Sequence, residues 1–202
     1  MKRNLLEVSL IGILVLLTWL LLSDEPQPRN TQNICEIFKE KPHWYRAAKS
    51  ASAKWNIPLT VPMAMMFQES SFRQDAQPPM QTFLGFIPIG RASSAYGFSQ
   101  ALDFTWDDYK KETNSIFASR SSFADSIDFM GWFIHKTHNI NKVSKYNAQH
   151  QYLNYHEGWG DYKRKSYRHK AWLLRAAKKV KRRANLYSRQ YKRCKTELNQ
   201  KL

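Results

Sequence analysis

Acidic residues are scarce in this chain. Sixteen Asp and Glu stand against 32 Lys and Arg, a formal net charge of +16. A surplus that large implies acidic surroundings: nucleic acid, anionic lipid, or an envelope rich in anionic polymer. Charge alone does not choose among them. Strand-like alternation is nearly missing outside one loop, which excludes a sheet-built domain and leaves a mainly α-helical one. Internal repeats are missing as well. Disorder is excluded by what is present, 43% hydrophobic and 14% aromatic residues. A length of 202 residues allows one ordinary domain with extensions.

Long apolar runs are also few, and the one at the N-terminus is informative. Lys2 and Arg3 precede a run from Leu5 to Leu22, broken only by Glu7, Ser9, Gly12 and Thr18. A basic head and an apolar middle form a secretory or signal-anchor segment. No small-x-small cleavage pattern follows, because Leu20-Leu21-Leu22 stands there, and no cysteine is placed to take a lipid. The expected reading of residues 1–23 is an uncleaved anchor with its N-terminus in the cytoplasm; a cleaved signal is the alternative. Either way the remainder lies outside the cytoplasm. Cysteine occurs twice, at Cys35 and Cys194. In an exported chain the natural reading is a disulfide; in a reducing cytosol they would be two unrelated thiols.

Residues 24–33 read as a polar, Pro-bearing linker. A domain over 34–162 follows, then a basic stretch over 163–202 that carries half of the Lys and Arg and a single acid, Glu197. Trp44, Ala47, Ala48, Ala51 and Trp55 follow helical spacing after Pro42. Thr60 suits the cap of a next helix that ends near Glu69. Asp75 to Ala95 reads as a long loop, unusually apolar at Phe83-Leu84-Gly85-Phe86-Ile87-Pro88-Ile89. It is expected as a hairpin packed beside a cleft, with a membrane-facing flap as the alternative. Short helices are expected around Asp103 to Lys111 and Asn147 to His156, with Gly158 as a C-terminal glycine. Between them a longer helix starts at the capping-box-like Ser122 and Asp125. Ala171, Leu174, Ala177 and Leu186, among lysines, suggest a long basic amphipathic helix. Either it docks its apolar side on the domain, or it presents a surface to anionic envelope polymer or lipid heads. Nucleic acid is not the expected partner, given the export signal. His135 and His138, with His150 and His156 further on, complete no zinc spacing.

One acid stands out. Glu69 sits where an apolar helical run, Val61 to Phe67, gives way to polar and basic chain. Burial raises a carboxyl pKa and so keeps a proton donor available near neutral pH; a helix-end charge facing water is the plainer alternative. Glu69-Ser70-Ser71-Phe72 is followed by Gly97-Phe98-Ser99-Gln100 and then by Tyr155-His156-Glu157-Gly158. In that order these segments resemble the soluble lytic transglycosylase family, whose domain is related to goose-type lysozyme. That family shows Glu-Ser-x-Phe, Gly-x-x-Gln and Ala-Tyr-Asn-x-Gly. The resemblance spans about Trp44 to Tyr162, and the second and third segments also look like a subgroup of small envelope transglycosylases.

The resemblance implies a mainly helical, lysozyme-like domain with no cofactor. Its substrate would be peptidoglycan glycan strands, cut at the β-1,4 bond between N-acetylmuramic acid and N-acetylglucosamine. A 1,6-anhydro sugar would be left instead of adding water. It further implies that Glu69 is the single catalytic acid/base and that Gly97 lets the backbone approach the sugar. Gln100 would hydrogen-bond near Glu69, Tyr155 would orient the acid or the acetamido group, and Ser70 and Ser71 would fix the turn. The plainer readings are an ordinary amide for Gln100 and a core aromatic for Tyr155. Asn154 and His156 replace the Ala and Asn of the family pattern. His156 can still donate to a sugar, with a pH-dependent charge. Glu157 adds a second carboxylate; facing Glu69 across a water-sized gap, it would permit hydrolysis by inversion. A hydrolytic muramidase and a non-catalytic peptidoglycan-binding module are therefore the alternative functions.

Overall fold

The computed structural model describes residues 25–84 and 86–200. In chain order it has α1 (Ile34–Glu40), α2 (Pro42–Trp55), α3 (Thr60–Ser70), a hairpin of β1 (Met80–Phe83) and β2 (Ile87–Arg91), and α4 (Asp103–Thr113). Then come α5 (Phe123–Asn141), α6 (Ala148–Glu157), α7 (Trp159–Lys163), a 3-10 turn over Ser166–His169, and α8 (Ala171–Gln200). The fold is mainly helical and lysozyme-like, with one two-stranded antiparallel sheet among the described residues.

Three helices pack against α3. From Thr60 to Met66 every residue is buried, and a helix apolar all round belongs inside a core. Helix α8 lies along one side of it, and α5 and α6 close others. Thr60 is the first helical residue and not the cap; Leu59 holds that position without a side-chain bond. Pro62 fits because the first turn has no intrahelical partner for its missing N–H. Beneath the end of α3 lies an aromatic stack. Trp44 lies flat on Phe123 at 4.0 Å between ring centroids and meets Phe98 and Phe72 at 5.4 and 5.9 Å. Each buried ring contributes on the order of 2 kcal/mol. Phe72 belongs to the first motif and Phe98 to the second, so this stack draws the two motifs together.

Helix ends follow the expected chemistry with small differences. Ser122 accepts a hydrogen bond from the Asp125 N–H at 3.3 Å, while the Asp125 carboxylate turns to the Ser119 N–H and not back to Ser122. Gly158 ends α6 with φ +78°, its N–H bonded to the Asn154 carbonyl at 2.8 Å.

The basic helix α8 docks its apolar side. Its buried stripe is Leu173, Ala177, Val180, Ala184, Tyr187, Cys194 and Leu198, spaced by fours and threes as one helix face requires. This differs from the stripe expected from sequence: Ala171 is exposed, and Leu174 and Leu186 are only half-buried. Cys194 is bonded to Cys35 of α1, with the Cα atoms 6.0 Å apart. The 25–33 segment, read as a linker, lies against the domain. The Glu25 carboxylate accepts from Trp44 Nε1 at 2.7 Å and also contacts His43, and the Arg29 N–H donates to Glu40 at 3.0 Å.

The apolar loop forms a hairpin, but the packed expectation is corrected. Both strands are exposed along their whole length. Two strands without a third layer have nothing to cover either face. The expected anchor over residues 1–23 lies outside the described residues. Among the described residues no helix is long and apolar enough to cross a membrane.

Candidate active site

The first motif is a helix end that reverses sharply. Ser71 and Phe72 both take left-handed backbone, with φ of +54° and +65°, costing roughly 1 kcal/mol or more each for non-glycine residues. Three bonds hold the turn. The Ser71 N–H donates to the Phe67 carbonyl at 3.0 Å, and the Phe72 N–H donates to Ser70 Oγ at 3.1 Å. Ser70 Oγ, itself buried, donates to the Phe98 carbonyl at 2.7 Å. Ser70 thus ties the first motif to the second. Ser71 closes the turn and offers its carbonyl to Gln27 Nε2 at 2.6 Å.

Glu69 stands on the last turn of α3, half-buried. Burial pushes its carboxyl up to about 7, and a hydrogen bond from the Tyr152 hydroxyl opposes part of that rise. Tyr152 lies on α6, buried; burial, the Glu69 charge and the shared bond push its phenol far above the usual range. One turn later on the same helix, Tyr155 is also pushed well up, by burial and by the charge of Glu69. Its hydroxyl donates to the Ser99 carbonyl at 2.5 Å, not to Glu69. Helix α6 therefore reaches the acid through Tyr152 and the second motif through Tyr155. Tyr152 was not among the candidate residues read from the sequence. The i, i+3 spacing from Tyr155 was the available signal for its role.

The second motif braces the site from below. Gly97 has φ +70°, and a Cβ there would lie 2.0 Å from the Arg120 carbonyl oxygen. Its glycine requirement thus comes from a close backbone neighbour within the fold. Gln100 spends its amide on backbone, with Nε2 donating to the Ala76 carbonyl at 2.7 Å and to the Gly97 carbonyl at 2.9 Å. It clamps the loop, whereas the resemblance implied a bond near Glu69. The Ser99 hydroxyl is buried and lacks a hydrogen-bond partner among the described residues.

A cavity of about 200 Å³ opens beside these groups, walled by Gln100, Phe104, Phe133, Tyr155, His156 and Trp159. Phe133 and Trp159 stack at 4.8 Å, giving it a flat aromatic wall. Glu69 is not itself part of that wall; Tyr155 is what the cavity and the acid's surroundings share. His156 is exposed at the rim, edge-on to Trp172 at 4.8 Å. The Glu157 side chain is committed elsewhere. It accepts from Lys170 Nζ at 2.8 Å, from Ser166 Oγ, and lies 3.4 Å from His156 Nδ1. Burial alone would raise its carboxyl, but these partners outweigh it and hold it below the usual range. It pins α6 to the start of α8. Asn154, where the family has Ala, is buried and bonded to Asn141 Nδ2 at 2.7 Å.

His135, His138 and His150 are engaged in the fold. His138 Nδ1 contacts the Val143 carbonyl at 3.0 Å, His150 Nδ1 the Tyr162 hydroxyl at 2.7 Å, and His135 Nδ1 contacts Lys145 Nζ at 3.1 Å. Among the described residues no group of three or more His, Cys, Asp or Glu could hold a metal ion.

The class that the fold defines is a mainly helical, lysozyme-like domain, here with one acid, Glu69, lifted toward neutrality. The chain belongs to the transglycosylase SLT domain family, whose model matches residues 10–194. That family consists generally of lytic transglycosylases acting on the peptidoglycan of the bacterial cell envelope. The match takes in most of α8, in keeping with its packing on α3. No curated protein and no solved structure gives a significant match.

Proposed function

We propose that this protein is a lytic transglycosylase that cuts the β-1,4 bond between N-acetylmuramic acid and N-acetylglucosamine, with Glu69 as its only acid/base. The carrying observation is the Glu69 carboxyl, raised by burial to about 7. At that value it holds a proton at neutral pH and can also release it. Protonated Glu69 donates to the glycosidic oxygen as the bond from that oxygen to C1 breaks. The resulting carboxylate then takes the proton of the muramyl 6-hydroxyl as O6 bonds to C1. No water is consumed, a 1,6-anhydro ring remains, and Glu69 ends protonated as it began. The substrate's own hydroxyl stands in for the second carboxylate that ordinary glycosidases need, which suits a site where Glu157 is tied to Lys170 and Ser166.

Tyr152 positions the carboxylate and stabilises its charged form in the second half of the reaction. Ser70, Ser71, Gly97 and Gln100 hold the motif loops, and Tyr155 fixes the Ser99 carbonyl between them. The aromatic cavity suits a sugar ring, with Gln100 and His156 as polar groups at its edge. The apolar N-terminal run supports a tether in the inner membrane with the domain on the periplasmic side. The exposed lysines and arginines of α8 support attraction to anionic envelope polymers or lipids. Glu69→Gln is expected to abolish turnover of purified peptidoglycan while the near-UV circular dichroism stays that of wild type. A folded Glu69→Gln protein with normal turnover would refute the assignment.

A further inference from the structure

The β1–β2 hairpin exposes more apolar surface than a water-facing element should. Met80, Phe83, Leu84, Phe86, Ile87 and Ile89 are between 43% and 73% exposed. They are contiguous, unlike the scattered apolar residues that any surface carries. Phe86 N–H bonds back to the Phe83 carbonyl at 3.3 Å, so the strands end in a tight turn with Leu84 and Phe86 at its tip. Exposure runs along the whole of both strands, so neither face is packed. A folded protein partner would cover one face of such a ribbon; a fluid apolar medium surrounds both.

Charge and connectivity select the same medium. No Asp or Glu occurs from Ala76 to Leu102, and Arg91 stands at the hairpin root, bonded to the Pro78 carbonyl. The first described residue, Glu25, donates its N–H to Gln74 Oε1 at 2.9 Å, just before the hairpin. The apolar N-terminal run ends at Leu22, three residues earlier, a span of about 10 Å at most. The described chain thus begins against Gln74, four residues before Pro78 at the hairpin root.

We propose that the hairpin tip is a second membrane contact: it inserts into the lipid bilayer that carries the N-terminal segment and sets the domain's orientation on it. The inference rests on the proposed tether but not on catalysis. Depth follows from backbone chemistry. A two-stranded ribbon has two open edges whose unpaired N–H and C=O groups exclude it from the hydrocarbon centre. The tip therefore reaches the headgroup–acyl boundary, about 5–10 Å deep, with Arg91 at phosphate level.

The chain has no free cysteine among its described residues, so a Leu84→Cys variant can be labelled at one site with an environment-sensitive dye. The full chain is reconstituted into vesicles of phosphatidylethanolamine and phosphatidylglycerol. The expected result is a blue-shifted emission that lipids with nitroxides near the headgroup quench more strongly than lipids labelled at the acyl end. Emission of a water-exposed dye, untouched by either lipid in a bilayer-incorporated chain, would overturn the proposal. Leu84→Ser with Phe86→Ser should leave kcat and KM on soluble glycan fragments unchanged. A raised KM there would instead make the hairpin a glycan-holding flap and also overturn it. The dye readout needs no turnover, so failure of the catalytic reading leaves it standing.

Discussion

At the scale of single residues, the proposed acid trades stability for a proton held near pH 7. The Glu69 carboxyl has an ordinary value of 4.5 and is raised by burial to about 7. As pH rises, the unfolded chain gives up this proton first. Stability is therefore lost between about pH 4.5 and 7 and stays lower above that window, by up to about 3 kcal/mol. Glu69→Gln removes the titration. It should be more stable than wild type in urea melts at pH 8 by up to that amount, with the difference shrinking toward zero at pH 4. Equal gains at both values would contradict the assigned burial. Tyr152 makes the complementary case. Its hydroxyl bond favours the charged carboxylate, so Tyr152→Phe should lift the Glu69 pKa. The alkaline fall of kcat/KM should then move to higher pH, and kcat should drop by about tenfold as proton return weakens. A purely structural Tyr152 would lower stability and leave the pH profile in place.

At the scale of elements, the motif loops are held by shape and by hydrogen bonds to backbone. Gly97→Ala forces a Cβ to within 2.0 Å of the Arg120 carbonyl, on a backbone with φ of +70° that already disfavours a side chain. It should destabilise by about 3 kcal/mol or more, read as a lower urea midpoint; a wild-type midpoint would show that the loop is softer than its contacts imply. The need for glycine was legible in the sequence, but its reason was not, because Arg120 comes close only in the folded chain. Helix positions from α2 to α6 were legible from apolar spacing and from Ser122 and Gly158. The phase of α8 was not, since a stripe read among lysines slips easily by one residue, and only packing on the domain selects Leu173 over Leu174. Gln100 was recognised as a motif residue, but its backbone partners were not legible. An amide can serve either a ligand or a carbonyl, and the distance to Ala76 and Gly97 decides.

At the scale of the whole molecule, the two ends of the described chain close on one another. The Cys35–Cys194 bridge spans 159 residues and, on the chain-entropy model, contributes up to about 5 kcal/mol by limiting the unfolded state. It fixes α8 along α3, the helix that carries Glu69, so the basic helix is part of the scaffold of the site. That a basic stretch would dock was one of two readings open in the sequence, because amphipathicity shows that a face is apolar without showing what covers it. The convergence of Glu69 with Tyr152 was out of reach for the same reason: it joins α3 to α6 across a core whose packing no local pattern encodes. The central claim concerns the fate of the glycosidic bond. Purified sacculi are digested with the full chain in mild detergent, and the released muropeptides are read by mass spectrometry. Products ending in 1,6-anhydro-N-acetylmuramic acid, with no water added, are the predicted result. Reducing ends carrying one added water, or no products from folded protein, would contradict it.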